Sequence, residues 1–142
     1  MGEWGKRMKR AGLVVAVGAL LLMPSATVAT AVVRSGTSGK DVLHGTAYAD
    51  RIYGYAGVDE IYGGRGNDRL SGGPGNDRIF ADIGIDRLYG GSGDDFISLI
   101  GGRSKDYVDC GPGFDTIKKQ RGPWPADFST VGCEKTVNGI AR

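Results

Sequence analysis

Between Gly63 and Asp95 the chain repeats itself in a nine-residue frame: GGRGNDRLS, GGPGNDRIF and, after one looser copy, GGSGDDFIS. Carried outward, the frame places an Asp at its sixth position nine times, at 41, 50, 59, 68, 77, 86, 95, 106 and 115. Two residues after each Asp stands an aliphatic side chain: Leu43, Ile52, Ile61, Leu70, Ile79, Leu88, Ile97, Val108 and Ile117. A chain that spells one short unit over and over must fold it the same way each time and stack the copies.

Each frame is a glycine-rich six-residue turn followed by three residues of strand character whose middle member is the aliphatic. Side chains alternate along a strand, so that middle residue points to one face and its neighbours to the other. If two frames make one turn of a flattened coil, the aliphatics form two inward rows. Frames 18 residues apart then lie above one another at about 4.8 Å. The expected architecture is all-β, a right-handed parallel β-roll, or small β-solenoid. It is regular over 36–98, interrupted by Leu99 and Ile100, and degenerate over 101–118 in the frames GGRSKDYVD and CGPGFDTIK.

Composition agrees with so thin a structure. With 26 Gly against 2 Trp, 6 Tyr and 4 Phe in 142 residues, no large core is available. Gly-rich turns contribute little apolar area and lose the most entropy on ordering. Something besides core burial must hold the coil together.

The Asp columns indicate what. Stacking aligns Asp41, Asp59, Asp77 and Asp95 on one edge and Asp50, Asp68 and Asp86 on the other. Like charges about 4.8 Å apart repel by about 1 kcal/mol even in water. Carboxylates beside exposed turn carbonyls offer hard oxygen ligands in a flexible ring, which suits Ca²⁺ better than the stricter octahedron of Mg²⁺. Transition-metal sites built on Cys or His lack the ligands here, with 2 Cys and 1 His.

The frames GGRGNDRLS, GGPGNDRIF and GGSGDDFIS resemble the nonapeptide G-G-x-G-x-D-x-U-x of RTX, or haemolysin-type, calcium-binding proteins. The resemblance covers residues 36–118. It implies that turns two frames apart share one Ca²⁺ through Asp carboxylates and backbone carbonyls, and that the roll folds only with calcium. Carried onto this chain, the ligands are Asp41, Asp50, Asp59, Asp68, Asp77, Asp86 and Asp95, with the turn glycines Gly63, Gly72 and Gly90. The best sandwiched pairs are Asp77 with Asp95, Asp59 with Asp77, Asp50 with Asp68, and Asp68 with Asp86. About five sites are expected in the regular run. Asp106 and Asp115 lie in degenerate frames and stand apart from the regular ligands. GTAYAD carries Tyr48 where the fourth-position Gly belongs, which weakens the turn at Asp50. ADIGID lacks the leading Gly pair.

Residues 1–31 read as a secretory signal peptide: Lys6, Arg7, Lys9 and Arg10, an uncharged apolar run from Ala11 to Met23, Pro24, then the small residues Ala29 and Ala31. The run falls short of the ~18 residues a membrane anchor needs. Cleavage removes those four bases and Glu3, turning the formal charge of +2 into −1, so the basic precursor says nothing of nucleic acid. The expected mature protein is secreted, monomeric and without a membrane span. In an exported chain the only two cysteines, Cys110 and Cys133, are expected to form a disulfide. It would pin residues 119–142 as a C-terminal cap in which Trp124 and Phe128 cover the last Ile row.

The outward strand positions carry Arg51, Arg69 and Arg87 in one column, with Tyr53 and Tyr89, or Tyr62 and Phe80, in aromatic columns. Such a face could stack sugar rings and pair with an anionic polysaccharide or cell-surface matrix. The plainer reading is that Arg and Tyr are ordinary residues for an exposed strand face. No catalytic signature fits, and the chain is read as a non-enzyme. The single His44 forbids a two-His metalloprotease motif, no G-x-S-x-G elbow occurs, and no G-K-[ST] follows a Gly-rich turn. The function read from sequence is thus a secreted calcium-binding protein whose roll folds on Ca²⁺, in a structural or associative role. The alternative is a carbohydrate-binding module.

Overall fold

The computed structural model describes residues 30–101, 105–120 and 129–139. Most of the expected signal peptide, residues 1–29, and the cap residues Trp124 and Phe128 lie outside the described residues.

The first strand, β1 (Val33–Ser35), precedes the repeat. Strands β2 (Val42–His44), β3 (Arg51–Tyr53), β4 (Glu60–Tyr62), β5 (Arg69–Pro74), β6 (Arg78–Phe80), β7 (Arg87–Ser92) and β8 (Phe96–Leu99) follow the regular frames. Then come β9 (Tyr107–Asp109), β10 (Thr116–Gln120), β11 (Ser129–Val131) and β12 (Lys135–Gly139). Odd strands form one 6-stranded sheet in the order β1-β3-β5-β7-β9-β11, and even strands the other, β12-β10-β8-β6-β4-β2. Every pairing is parallel, so the chain winds from sheet to sheet as a β-solenoid.

The register is the one the frame demands. Ile52 stands over Leu70 and Leu70 over Leu88 in one sheet, with Leu43, Ile61, Ile79 and Ile97 in the other, each step 18 residues. Past the insertion the step becomes 20, pairing Leu88 with Val108 and Ile97 with Ile117. Leu99, one of the two interrupting residues, itself joins β8 and is buried.

Two facing rows of aliphatics fill the coil. Ile52, Ile61, Leu70, Ile79, Leu88, Ile97, Val108 and Ile117 are fully buried, while Leu43, nearest the open end, is only half-buried. The turns close tightly between these rows. Gly75 takes φ 138°, and a Cβ there would collide with the Gly57 carbonyl of the turn beneath. Tyr55 and Asp82 adopt φ 73° and 64° at second turn positions where Gly64 and Gly73 stand in other frames.

The tail continues the coil. Strand β11 pairs with β9 and β12 with β10, so both sheets gain a rung beyond the repeat. Cys110 is fully buried in the first position of its turn, and its disulfide to Cys133 joins α-carbons 5.3 Å apart.

Ile79 lies in the middle of its row with a neighbour on each side. Ile79→Ala should therefore cost about 2–5 kcal/mol in denaturant unfolding, whereas Val58→Ala at an exposed turn position should stay within about 0.5 kcal/mol.

Candidate metal centre

Each sixth-position Asp sits where its turn enters the next strand, and stacking puts it directly over its counterpart. One hydrogen bond recurs at almost every step: the backbone N–H of an Asp donates to Oδ1 of the Asp in the next turn on the same edge. Along one edge Asp41 donates to Asp59, Asp59 to Asp77, and Asp77 to Asp95, all at 2.8 Å. Along the other Asp50 donates to Asp68 at 2.7 Å and Asp68 to Asp86 at 2.8 Å. The relay crosses the insertion, with Asp86 donating to Asp106 at 2.9 Å and Asp95 to Asp115 at 2.8 Å.

The relay uses one carboxylate oxygen and leaves the other. Oδ2 of Asp59, Asp68, Asp77, Asp86, Asp95 and Asp115 is buried without a hydrogen-bond partner. These side chains are no more than 2% exposed. A buried, unsatisfied polar atom ordinarily costs about 1–3 kcal/mol, and more when charged. The same defect recurring six times at equivalent positions is a property of the repeat.

Backbone carbonyls stand beside these oxygens. The space a Cβ would occupy on Gly72 is crowded by Asp77 Oδ2 and by the Gly90 carbonyl 2.6 Å away, and on Gly63 by Asp68 Oδ2 and the Ala81 carbonyl, both at 2.8 Å. Gly54 faces Asp59 Oδ2 and the Gly72 carbonyl in the same way, and Gly45 faces Asp50 Oδ2 and the Gly63 carbonyl. The Gly72 and Gly90 carbonyls thus border the same space as the unpartnered oxygens of Asp59 and Asp77, while the Gly63 carbonyl borders that of Asp50 Oδ2. Among the described residues no three His, Cys, Asp or Glu side chains converge on one point. A cation held here would draw its remaining ligands from backbone oxygens. Unpartnered carboxylate oxygens with adjacent carbonyls fit a hard divalent ion of flexible coordination, Ca²⁺ above all.

The two N-terminal turns are built differently. Thr37 N–H donates to Asp41 Oδ2 at 2.6 Å and its hydroxyl at 2.9 Å. Thr46 N–H donates to Asp50 Oδ2 at 2.5 Å, with its hydroxyl 3.0 Å away. The free oxygen of the other turns is here already engaged. The threonines occupy the second turn position, where positive-φ residues stand in the later turns. The weakness expected at Tyr48 is therefore accompanied by a change of turn chemistry at Thr46. Asp106 accepts its relay bond but is only half-buried, while Asp115, from the other degenerate frame, is as buried as the regular ligands.

Further polar groups escape the reading of the sequence. Asn67 Oδ1 accepts Ile85 N–H at 2.9 Å, Asn76 Oδ1 accepts Asp94 N–H at 3.0 Å, and Asp94 Oδ1 accepts Phe114 N–H at 2.9 Å. These fifth-position side chains form a second relay on the outside of the turns. Its signal in the sequence is the recurring N-D and D-D dipeptide that ends the turns at Asp68, Asp77 and Asp95.

On the outer faces, Arg51, Arg69 and Arg87 are exposed and in register. Tyr53 and Tyr89 share a column, but Ser71 stands between them, so they do not stack on each other. Tyr89 instead lies under the Arg69 guanidinium at 4.8 Å and tilts against Tyr107. On the opposite face His44, Tyr62 and Phe80 stack in a ladder with ring centroids 4.7 Å apart.

Burial pushes the Asp68 and Asp77 carboxyls up to about 6, and those of Asp86 and Asp95 up to about 7. Loss of hydration is the main cause. The relay N–H from the turn beneath offsets it, and repulsion from stacked carboxylates adds to it. Asp106 and Asp115 are raised by burial too.

The model of the RTX calcium-binding nonapeptide repeat matches residues 35–70 and 71–99, in four copies. No curated protein matches the chain.

A carboxyl that titrates higher in the fold than in the unfolded chain favours the fold when protonated. Its contribution is complete below about pH 4, the unfolded value, and is lost as pH rises through 6 to 7. In chelator, far-UV circular dichroism should therefore show more β-structure at pH 5 than at pH 8. Calcium affinity should run the other way, falling as pH drops from about 7 to 5, because proton and ion compete for one oxygen. A chelated protein equally unfolded at both pH values would contradict this.

Proposed function

Since residues 35–99 of this chain belong to the RTX calcium-binding nonapeptide repeats, we propose that it is a secreted calcium-binding protein whose roll folds as Ca²⁺ binds, with a structural or associative role outside the cell. The repeats bind Ca²⁺ and the fold is the β-roll. One observation carries the coupling of ion to fold: six buried carboxylate oxygens without partners, stacked between turns whose aliphatic core is two side chains wide.

Export is supported by the basic, apolar and A-x-A pattern of residues 1–31 and by the Cys110–Cys133 disulfide, a bond typical of oxidising compartments. No helix among the described residues is long and apolar enough to cross a membrane. We read the role as non-enzymatic, the stacked carboxylates being arranged to hold an ion between turns.

A second reading has its own observation. Arg51, Arg69 and Arg87 stand one strand apart, about 4.8 Å, and among the described residues none forms an ion pair. Like charges so placed repel one another, and a linear polyanion lying along the coil would relieve them. With Tyr53 and Tyr89 flanking the column and Tyr107 following Arg87 in it, an anionic polysaccharide is the partner this face would suit.

Calcium titration of the mature, chelator-stripped protein should bring β-structure in at about 0.1–1 mM Ca²⁺, the range of extracellular modules. A complete sheet in chelator at pH 8 would sink the primary reading. For the second, retention on immobilised anionic glycan in calcium should drop when Arg69 and Arg87 are both changed to Ala, and unchanged retention would remove it.

A further inference from the structure

The family match stops at residue 99, but the stacking that leaves carboxylate oxygens unpartnered does not. Asp115 is 1% exposed, its Oδ1 accepts Asp95 N–H at 2.8 Å, and its Oδ2 has no partner. In the regular turns the next Asp on the edge would receive the Asp115 N–H. Here that bond goes to Glu134 Oε2, at 2.8 Å.

The substitution follows from the geometry of the tail. Val131 ends β11 in register with Asp109, and Lys135 opens β12 in register with Thr116. The connection between them is Gly132, Cys133 and Glu134, three residues where the repeat uses six. Glu134 is thus the residue immediately before its strand, the place Asp takes in every frame. Its extra methylene lets a carboxylate on the shorter turn reach Asp115. Gly132 takes φ 71° over Gly111, where a Cβ would lie 2.9 Å from the Gly111 carbonyl. Cys133 is tied to Cys110, which opens the turn that ends at Asp115.

We infer that a further Ca²⁺ binds between the Cys110–Asp115 turn and the disulfide-held Gly132–Glu134 turn, with Asp115 Oδ2 and the Glu134 carboxylate as its charged ligands. This rests on the calcium reading of the roll and extends it past the repeat. The chemistry is the same hard-oxygen site, but the upper ligand comes from a non-repeat tail. Glu134 is exposed, so this terminal site opens to solvent on one side, while sites between two full turns are enclosed. The disulfide holds its two halves together, and an ion bound only to the closed arrangement protects that arrangement in proportion to its occupancy.

The test is a calorimetric calcium titration of the disulfide-bonded protein beside Asp115→Asn, Glu134→Gln and, as a control near the tail, Asp109→Asn, which flanks the buried Val108. Asp115→Asn should bind one ion fewer than wild type. Glu134→Gln keeps an acceptor for the Asp115 N–H but loses the charge, and should weaken one ion by about tenfold, ligand charge being a main determinant of such affinities. Asp109→Asn should titrate like wild type. In parallel, Ca²⁺ should slow reduction of Cys110–Cys133 by dithiothreitol several-fold in wild type and not in Asp115→Asn. Wild-type stoichiometry and affinity in both Asp115→Asn and Glu134→Gln would overturn the terminal site. If Asp115→Asn fails to fold, an unchanged Glu134→Gln titration alone overturns it. If wild type itself binds no calcium, the roll reading fails first and this site with it.

Discussion

Everything in this coil depends on one hydrogen bond, the Asp N–H that reaches Oδ1 of the Asp one coil further on. It fixes the register between turns and draws each carboxylate inward, so it also buries a charge. At about 4.8 Å between rungs, a column of ionised carboxylates opposes the stacking that aligns it, and loss of hydration adds to that repulsion. The fold therefore brings its own need for positive charge. A proton meets that need only in part at neutral pH, since burial pushes Asp68 and Asp77 up to about 6 and Asp86 and Asp95 to about 7. A divalent ion meets it while also using the adjacent carbonyls.

The repeat was legible because its period equals half a coil. The spacing of Asp and aliphatic residues alone gave the parallel pairing, the 18-residue register and the inward rows, and Ile52, Leu70 and Leu88 stand in one row as that spacing requires. What the frame could not convey is what differs from frame to frame. Leu43 matches the pattern as well as Ile61 does, but is half-buried because it lies near the end of its row. Tyr53 and Tyr89 fall in one column by spacing, yet Ser71 between them removes the stacking a column suggests. The tail has no frame at all, so β11, β12 and Glu134 could not be read from it.

The degenerate turns show how chemistry, and not resemblance to the consensus, decides the environment of each Asp. GTAYAD and CGPGFD both depart from the pattern, yet they end differently. At Asp50 the departure places Thr46 at the second position, and its N–H and hydroxyl satisfy the carboxylate. At Asp115 the departure is Cys110 at the first position, which offers the carboxylate no donor, and its Oδ2 stays bare. The coil is thus asymmetric. Its first two turns are closed by hydroxyl and amide donors, and every buried turn after them leaves an oxygen open.

That asymmetry bears on the surface as well as the core. The arginine column exists only because β3, β5 and β7 are stacked in register, and the same stacking aligns Asp50, Asp68 and Asp86 one residue before each Arg. Each arginine therefore leaves the backbone beside a carboxylate held inside the coil. Whatever neutralises the carboxylates fixes the pitch at which the guanidinium groups are presented outside. Inner charge and outer charge are two faces of one strand spacing, and a ligand recognising the outer array would act on a surface that the inner column has set.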